Sequence, residues 1–134
     1  MQKCKYLDDL GIRIEEYGTN FISDEDERNE SWAKQREEYG FDVRETWNLD
    51  NTFIEWIYTR FMMYRERCIV NLDYHKISYK SEELTQREAI DKVIYLAKEV
   101  LQNEDWDAKG EKMKIENTEE ICELLKELLP YMWW

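Results

Sequence analysis

The stretch Thr46–Cys68, TWNLDNTFIEWIYTRFMMYRERC, keeps one period along its whole length. Placed on a helix, Phe53, Ile57, Phe61, Tyr64 and Cys68 form one stripe, widened by Leu49, Ile54 and Trp56. Asn51, Thr52, Glu55, Thr59 and Glu66 fall on the opposite side. An apolar sector this wide has to be covered, and a chain with few turn residues covers it with other helices. The expectation is therefore an all-α fold, a small irregular bundle of three to four helices around this central apolar and aromatic helix.

Composition supports that reading. At 134 residues the chain is expected to form one domain, residues 1–134, large enough for a core without staples. Its 43% hydrophobic and 14% aromatic content argues against disorder. Four Gly and one Pro are too few for the many tight turns of an all-β fold.

Residues 1–22 are expected to be an irregular arm; GIRIEEY alternates and could equally be a short strand, a short helix or an ordered arm. Ser23 with Asp26 three residues on resembles a capping box, opening a polar, acidic helix over 23–39 that Gly40 stops. The central helix is expected over 48–68, capped by Asn48 or Asp50. Residues 70–83 lose the helical period and read as a loop. Thr85 and Glu88 form a second capping box, opening a helix over 85–102 with Ile90, Val93, Ile94, Ala97, Val100 and Leu101 on one face. Residues 103–117 are polar, hold Gly110 and read as a loop. Asn117 with Glu120 opens a last helix over 118–130, its stripe Ile121, Leu124, Leu125, Leu128 and Leu129, halted by Pro130. The tail Tyr131–Trp134 is apolar enough that it is expected to pack back onto the core.

Charge narrows the partners. The net charge is −12, with −6 over residues 1–48, −1 over 49–83 and −5 over 84–134. Such a chain does not bind nucleic acid directly, because phosphate neutralisation needs a basic surface. An anionic membrane surface repels it too. A basic protein surface remains, and so does the plain reading of a solvated acidic surface. Cys4, Cys68 and Cys122 are odd in number and lack C-x-x-C spacing, which suits a reducing compartment. With no membrane-spanning apolar run and no signal-peptide core, the expected place is the cytoplasm.

No catalytic signature stands out. His75 is the only histidine and lies in an expected loop; no motif brings Cys4, Cys68 or Cys122 to it as a Cys–His pair, and one His without paired Cys excludes the ordinary zinc patterns. Neither glycine-rich phosphate-binding motif occurs. Glu88 and Asp91 have the E-x-x-D spacing of all-α nucleotide pyrophosphohydrolases, and Glu55 and Glu66 lie on the polar side of the central helix. A carboxylate-bound metal enzyme is thus one alternative. The main expectation is no enzyme, no cofactor and no metal. Trp47 and Asp50 read as scaffold, the indole entering the core just ahead of the helix, with ligand contact as the other reading.

The sharpest functional candidate is the acidic flank: Asp24, Glu25, Asp26, Glu27, Glu30, Glu37 and Glu38, with Trp32 or Tyr39 as the anchor of a contact. Carboxylates spaced along a rod could stand in for backbone phosphates in a basic groove. A merely solvated helix face is the plain alternative.

The string Glu45-Thr46-Trp47-Asn48-Leu49-Asp50 resembles the acidic-T-W-S-[FL]-D signature of a family of small helical proteins of bacteriophages and prophages. The family's following apolar helix ends in basic residues, as at Arg65 and Arg67. A loop and an L-T-x-x-E-W-like helix come next, matched by Leu84-Thr85-Gln86-Arg87-Glu88, with Ala89 near the place of the usual Trp. The family closes on a helix ending in an L-W pair, and here the sequence closes on Met132-Trp133-Trp134. The resemblance covers about residues 42–134 and omits the acidic first helix. It implies a phage setting and no particular chemistry. Joined to the charge, it leads to an expected anti-defence inhibitor, anti-CRISPR-like. Such an inhibitor would bind a basic nucleic-acid-handling host protein, or a protein–nucleic acid complex, in the bacterial host cytoplasm. A structural or assembly protein acting as a homo-oligomer is the other alternative.

Overall fold

The computed structural model describes residues 4–11 and 25–134. The expected arm over 1–22 lies largely outside them, and Ser23 and Asp24 lie wholly outside them. The fold is mostly helical, as expected from the apolar periods. Among the described residues run α1 (Lys5–Asp8), α2 (Asn29–Tyr39), a 3-10 turn (Val43–Thr46), α3 (Leu49–Arg67), strands β1 (Lys76–Tyr79) and β2 (Glu82–Thr85), α4 (Gln86–Gln102), α5 (Ala108–Leu128) and a closing 3-10 turn (Leu129–Tyr131). Where the sequence suggests one domain, the chain divides into two compact units, Met1–Phe53 and Ile54–Trp134.

In the first unit, α2 begins at Asn29, later than the expected 23. The reason is local. Asp26 turns its carboxylate onto the Arg28 backbone N–H at 2.9 Å, a side-chain bond that competes with helix formation. Gly40 ends the helix as expected, in the left-handed conformation at φ 84°, its N–H donating to the Arg36 carbonyl. The chain then folds back along the last turn of α2, where Gln35 Oε1 accepts from the Val43 N–H at 2.7 Å.

α3 runs as the sequence suggests, but its buried face is rotated. Ile54, Ile57, Tyr58 and Phe61 are buried, spaced i, i+3, i+4 and i+7. Thr59, expected on the polar side, is buried as well, and its hydroxyl donates to the Glu55 carbonyl at 2.9 Å. Phe53, expected at the head of the buried stripe, and Leu49 and Trp56, expected to widen it, are exposed.

In the second unit α4 and α5 form the most extensive contact between helices. Both halves of the Thr85–Glu88 capping box form, at 3.1 Å each. Ala89, Ile90, Val93, Ala97, Val100 and Leu101 are buried along α4, and Ile121, Leu124, Leu125 and Leu128 along α5. Each of the larger side chains, fully buried, contributes about 1.5–3 kcal/mol.

α5 starts at Ala108, ten residues before the expected 118. Its cap is Asp107, which accepts from the Gly110 N–H at 2.9 Å. Asn117, expected as a cap, instead sits buried mid-helix and donates to the Leu96 carbonyl of α4 at 3.1 Å. Gly110 is no loop marker. A Cβ there would lie 1.9 Å from the Asp105 carbonyl oxygen, so the 103–107 turn packs against a bare backbone.

The expected loop over 70–83 contains a β-hairpin. Ile77 pairs with Leu84 and Tyr79 with Glu82, and the alternation of β1 buries Ile77 and Tyr79. The two turn residues, Lys80 and Ser81, both have positive φ, 48° and 63°, as a tight hairpin of this twist demands. Neither is the Gly or Asn that usually occupies such positions. Lys80 is held there by its ammonium, which pairs with the Glu120 carboxylate of α5.

The tail departs from expectation. The Tyr131 carbonyl accepts from Gln86 Nε2 at 3.2 Å and its ring lies 4.0 Å from the His75 ring, so the backbone there is held. The aromatic side chains are not buried: Tyr131, Trp133 and Trp134 stay exposed.

Two stability outcomes follow. Gly110→Ala gains helix propensity yet forces the 103–107 turn away, and should cost about 1–3 kcal/mol in urea denaturation. Unchanged or raised stability would mean that the turn moves freely. Ser81→Gly places the permissive residue where φ is positive and should raise stability by about 0.5–1 kcal/mol in the same measurement.

Candidate functional site

The expected site splits into two very different parts. Asp24 lies outside the described residues. Glu25, Glu27, Glu30, Glu37 and Glu38 are exposed. Glu30 faces Lys34 one turn on at 3.4 Å, so a cation sits inside the acidic face of α2. Asp26 is a poor recognition acid. Arg28 grips it through Nε at 3.0 Å and Nη2 at 2.9 Å, and these bonds hold its carboxyl down at about 2, below the usual carboxylate range.

Trp32 must be corrected outright. It is 3% exposed and cannot anchor a surface contact. The Arg28 guanidinium lies over its ring at 5.0 Å and the Arg44 guanidinium at 4.4 Å, while the Trp47 ring meets it edge-on at 6.1 Å. The two tryptophans have exchanged their expected places: Trp47, read as core, is half exposed.

Asp42 ties this cluster together. Its side chain is 5% exposed and accepts four hydrogen bonds. They come from the Arg44 backbone N–H at 3.0 Å, Arg44 Nε at 2.9 Å, Arg44 Nη2 at 2.8 Å and Arg36 Nη1 at 2.6 Å. These bonds engage the whole acceptor capacity of a carboxylate. They cap the 3-10 turn, flatten Arg44 over Trp32 and tie the end of α2 to the loop after it. Arg44 in particular holds the Asp42 carboxyl down at about 2. Two further bonds close the segment: Thr46 Oγ1 to the Val43 carbonyl at 2.6 Å, and Thr52 Oγ1 to the Glu45 carbonyl at 2.8 Å.

Around this knot the surface is apolar. Tyr39, Phe41, Val43, Trp47, Leu49 and Phe53 are between 39% and 63% exposed, all within fifteen residues. A run of this density is characteristic of contact surfaces, not of a monomer's scattered exposed apolar groups. Of these, the sequence marks Tyr39 as an anchor and Trp47 only as an alternative ligand contact; Phe41, Val43, Leu49 and Phe53 carry no such mark. The available signal was F-D-V-R-E-T-W-N-L itself, a stretch rich in large apolar residues with no helical period to bury them.

Other chemistry finds less support. Glu88 is engaged in the α4 capping box and Asp91 pairs with Arg65 at 2.6 Å. Among the described residues no group of three or more His, Cys, Asp or Glu could hold a metal ion. Among them, too, no helix is long and apolar enough to cross a membrane. Cys4 and Cys68 are half-buried and Cys122 is exposed, all as free thiols. Comparison of the chain with protein-family models, with curated proteins and with solved structures finds no match.

The Asp42 cluster sets a pH signature. Its carboxyl titrates lower in the folded chain than the 3.8 of a free aspartate. Its contribution is therefore fully present above about pH 4 and is lost as pH falls toward about 2. After discounting for the half-exposed Arg36, that contribution is about 1–2 kcal/mol. Asp42→Asn should remove it, so that the stability gap between variant and parent shrinks as pH falls from about 5 to about 2. A gap that stays constant with pH would show that the charge of Asp42 is not what matters.

Proposed function

We propose that this chain is a non-enzymatic, protein-binding inhibitor of the phage anti-defence kind, its target a basic nucleic-acid-handling host protein or a complex of one with nucleic acid. The observation that carries the reading is the combination in one short segment: solvent-exposed aromatics beside exposed Glu37, Glu38 and Glu45. Aromatic residues are what protein interfaces concentrate, and a negative rim selects a positive partner. The net charge of −12 favours such a target and opposes direct nucleic-acid binding. The resemblance of residues 42–134 to small phage and prophage proteins supplies the setting, a bacterial host cytoplasm.

A second reading, a homo-oligomeric structural or assembly protein, draws on the exposed large apolar residues of the second unit, among them Tyr74, Tyr95, Trp106 and Trp133. Light scattering of the pure chain separates the two, since only the oligomer shows a multiple of the chain mass with no partner added.

The inhibitor reading is tested by capture from a bacterial host lysate at about 50 mM and about 500 mM salt, conditions that span strong and weak screening. The expected captured proteins are basic and handle nucleic acid, and the high-salt wash releases them. Replacing Glu27, Glu30, Glu37 and Glu38 with Lys should cut capture while the helical circular-dichroism signal stays. Asp26 is left in place because its removal would free Arg28. Capture indifferent to both salt and charge reversal would refute recognition by charge.

A further inference from the structure

We propose that the exposed apolar ledge between Tyr39 and Phe53 is the docking epitope, and that its occupant is a partner protein offering an apolar groove rimmed by lysine and arginine. This rests on the protein-binding reading above and names the surface and the partner chemistry through which it works.

The first argument is placement. Tyr39, Phe41, Val43, Trp47, Leu49 and Phe53 lie on one short stretch that is folded back on itself, at the end of α2, on the 3-10 turn and on the first turn of α3. Hydrogen bonds between Gln35 and Val43, Arg36 and Asp42, and Thr52 and Glu45 hold those three pieces together.

The second argument is the sign of the rim. Glu37, Glu38, Glu45 and Asp50 are exposed along the same stretch. The basic residues among them, Arg36 and Arg44, are both committed to Asp42. The ledge therefore shows apolar surface and negative charge, while its two arginines are paired with the Asp42 carboxylate, Arg44 largely covered and Arg36 half-exposed. A groove with a basic rim complements that pattern. A second copy of the chain does not, because it would bring an equal acidic rim face to face with the first. Nucleic acid does not either, since phosphates meet the same carboxylates.

The third argument is rigidity. Trp47 stands against Trp32, and Trp32 is buried with the Arg28 and Arg44 guanidinium groups over its ring. A contact made by a side chain already held in place loses less entropy on binding, which is what an interface hot spot requires.

The probe is an amphipathic helical peptide of about 18 residues, leucine on one face and lysine on the other, long enough to fold on a surface. Its controls are the leucine/glutamate counterpart and a lysine-only peptide. Binding of each labelled peptide to the full chain is followed by fluorescence anisotropy at about 150 mM salt. The leucine/lysine peptide should bind tightest, the lysine-only peptide weakly and the leucine/glutamate peptide not at all. Phe41→Ser combined with Leu49→Ser should weaken the leucine/lysine peptide at least tenfold with the circular-dichroism spectrum unchanged. If that pair perturbs folding, Tyr39→Ser, at the 63% exposed edge, gives the same direction with a smaller loss. Equal affinity of the folded variants and the parent overturns the ledge while leaving recognition by charge intact. Failure of both basic peptides to bind overturns the ledge and the basic-target reading together. Equal binding of the leucine/glutamate peptide overturns the assignment of a basic rim. A dimer of the pure chain that the same substitutions dissolve overturns the choice of occupant in favour of a second copy.

Discussion

A carboxylate cut off from water has to be matched by donors, and in the first unit Asp42 is the group that makes this demand. Four hydrogen bonds from two arginines meet it, and the neighbouring geometry follows from those arginines. Arg36 cannot reach Asp42 unless the chain reverses at Gly40. Arg44 cannot present both Nε and Nη2 to the same carboxylate without lying flat, and lying flat places it over Trp32. Trp47 meets Trp32 in a T-shaped contact and is itself half exposed. The ion pair thus sits at the base of a cluster whose outer member, the Trp47 indole, is half exposed. Removing one partner of such a pair costs more than the pair contributes, because the remaining charge stays buried.

The second unit is organised differently, by shape more than by charge. Its core is the pairing of α4 with α5, with Ala89 and Ala97 fully buried on α4 and the bare backbone at Gly110 admitting the 103–107 turn that joins the two helices. A buried polar contact, Asn117 to the Leu96 carbonyl, joins the two helices. The hairpin lies against both helices through Ile77 and Tyr79. Tyr79 is flanked by the ammonium groups of Lys80 and Lys92 at 5.3 and 5.1 Å, and burial raises its phenol's pKa above the usual tyrosine value.

What could be read from the sequence was whatever local chemistry decides. The Thr85–Glu88 capping box, the stop at Gly40 and the apolar stripe of α4 need only neighbours within a few residues, and they stand where the sequence puts them. What could not be read depends on partners far along the chain, or on a residue used against its usual habit. The first three turns of α5 are mostly polar and hold a glycine, so no period announces them. The hairpin turns on Lys80 and Ser81, residues that seldom take positive φ. Trp32 and Trp47 are the same side chain fifteen positions apart. Which one is buried was settled by arginines whose role the charge count recorded only as surface basicity. The acidic residues proposed as a site were correctly read as exposed for Glu25, Glu27, Glu30, Glu37 and Glu38, whereas the aromatic partner beside them was misassigned.

The turn at Lys80 also bears on how this chain can be inherited. Backbone conformation there favours asparagine or glycine, while the carboxylate of Glu120, forty residues away, favours a long cation. A chain that kept the cation accepted conformational strain for a tether between the hairpin and α5. A change at position 80 alone relieves the strain but loses the tether, and a change at position 120 alone loses the tether and leaves the strain. Positions 80 and 120 should therefore drift as a pair across descendants of this sequence, a coupling that no local rule of turn composition would reveal.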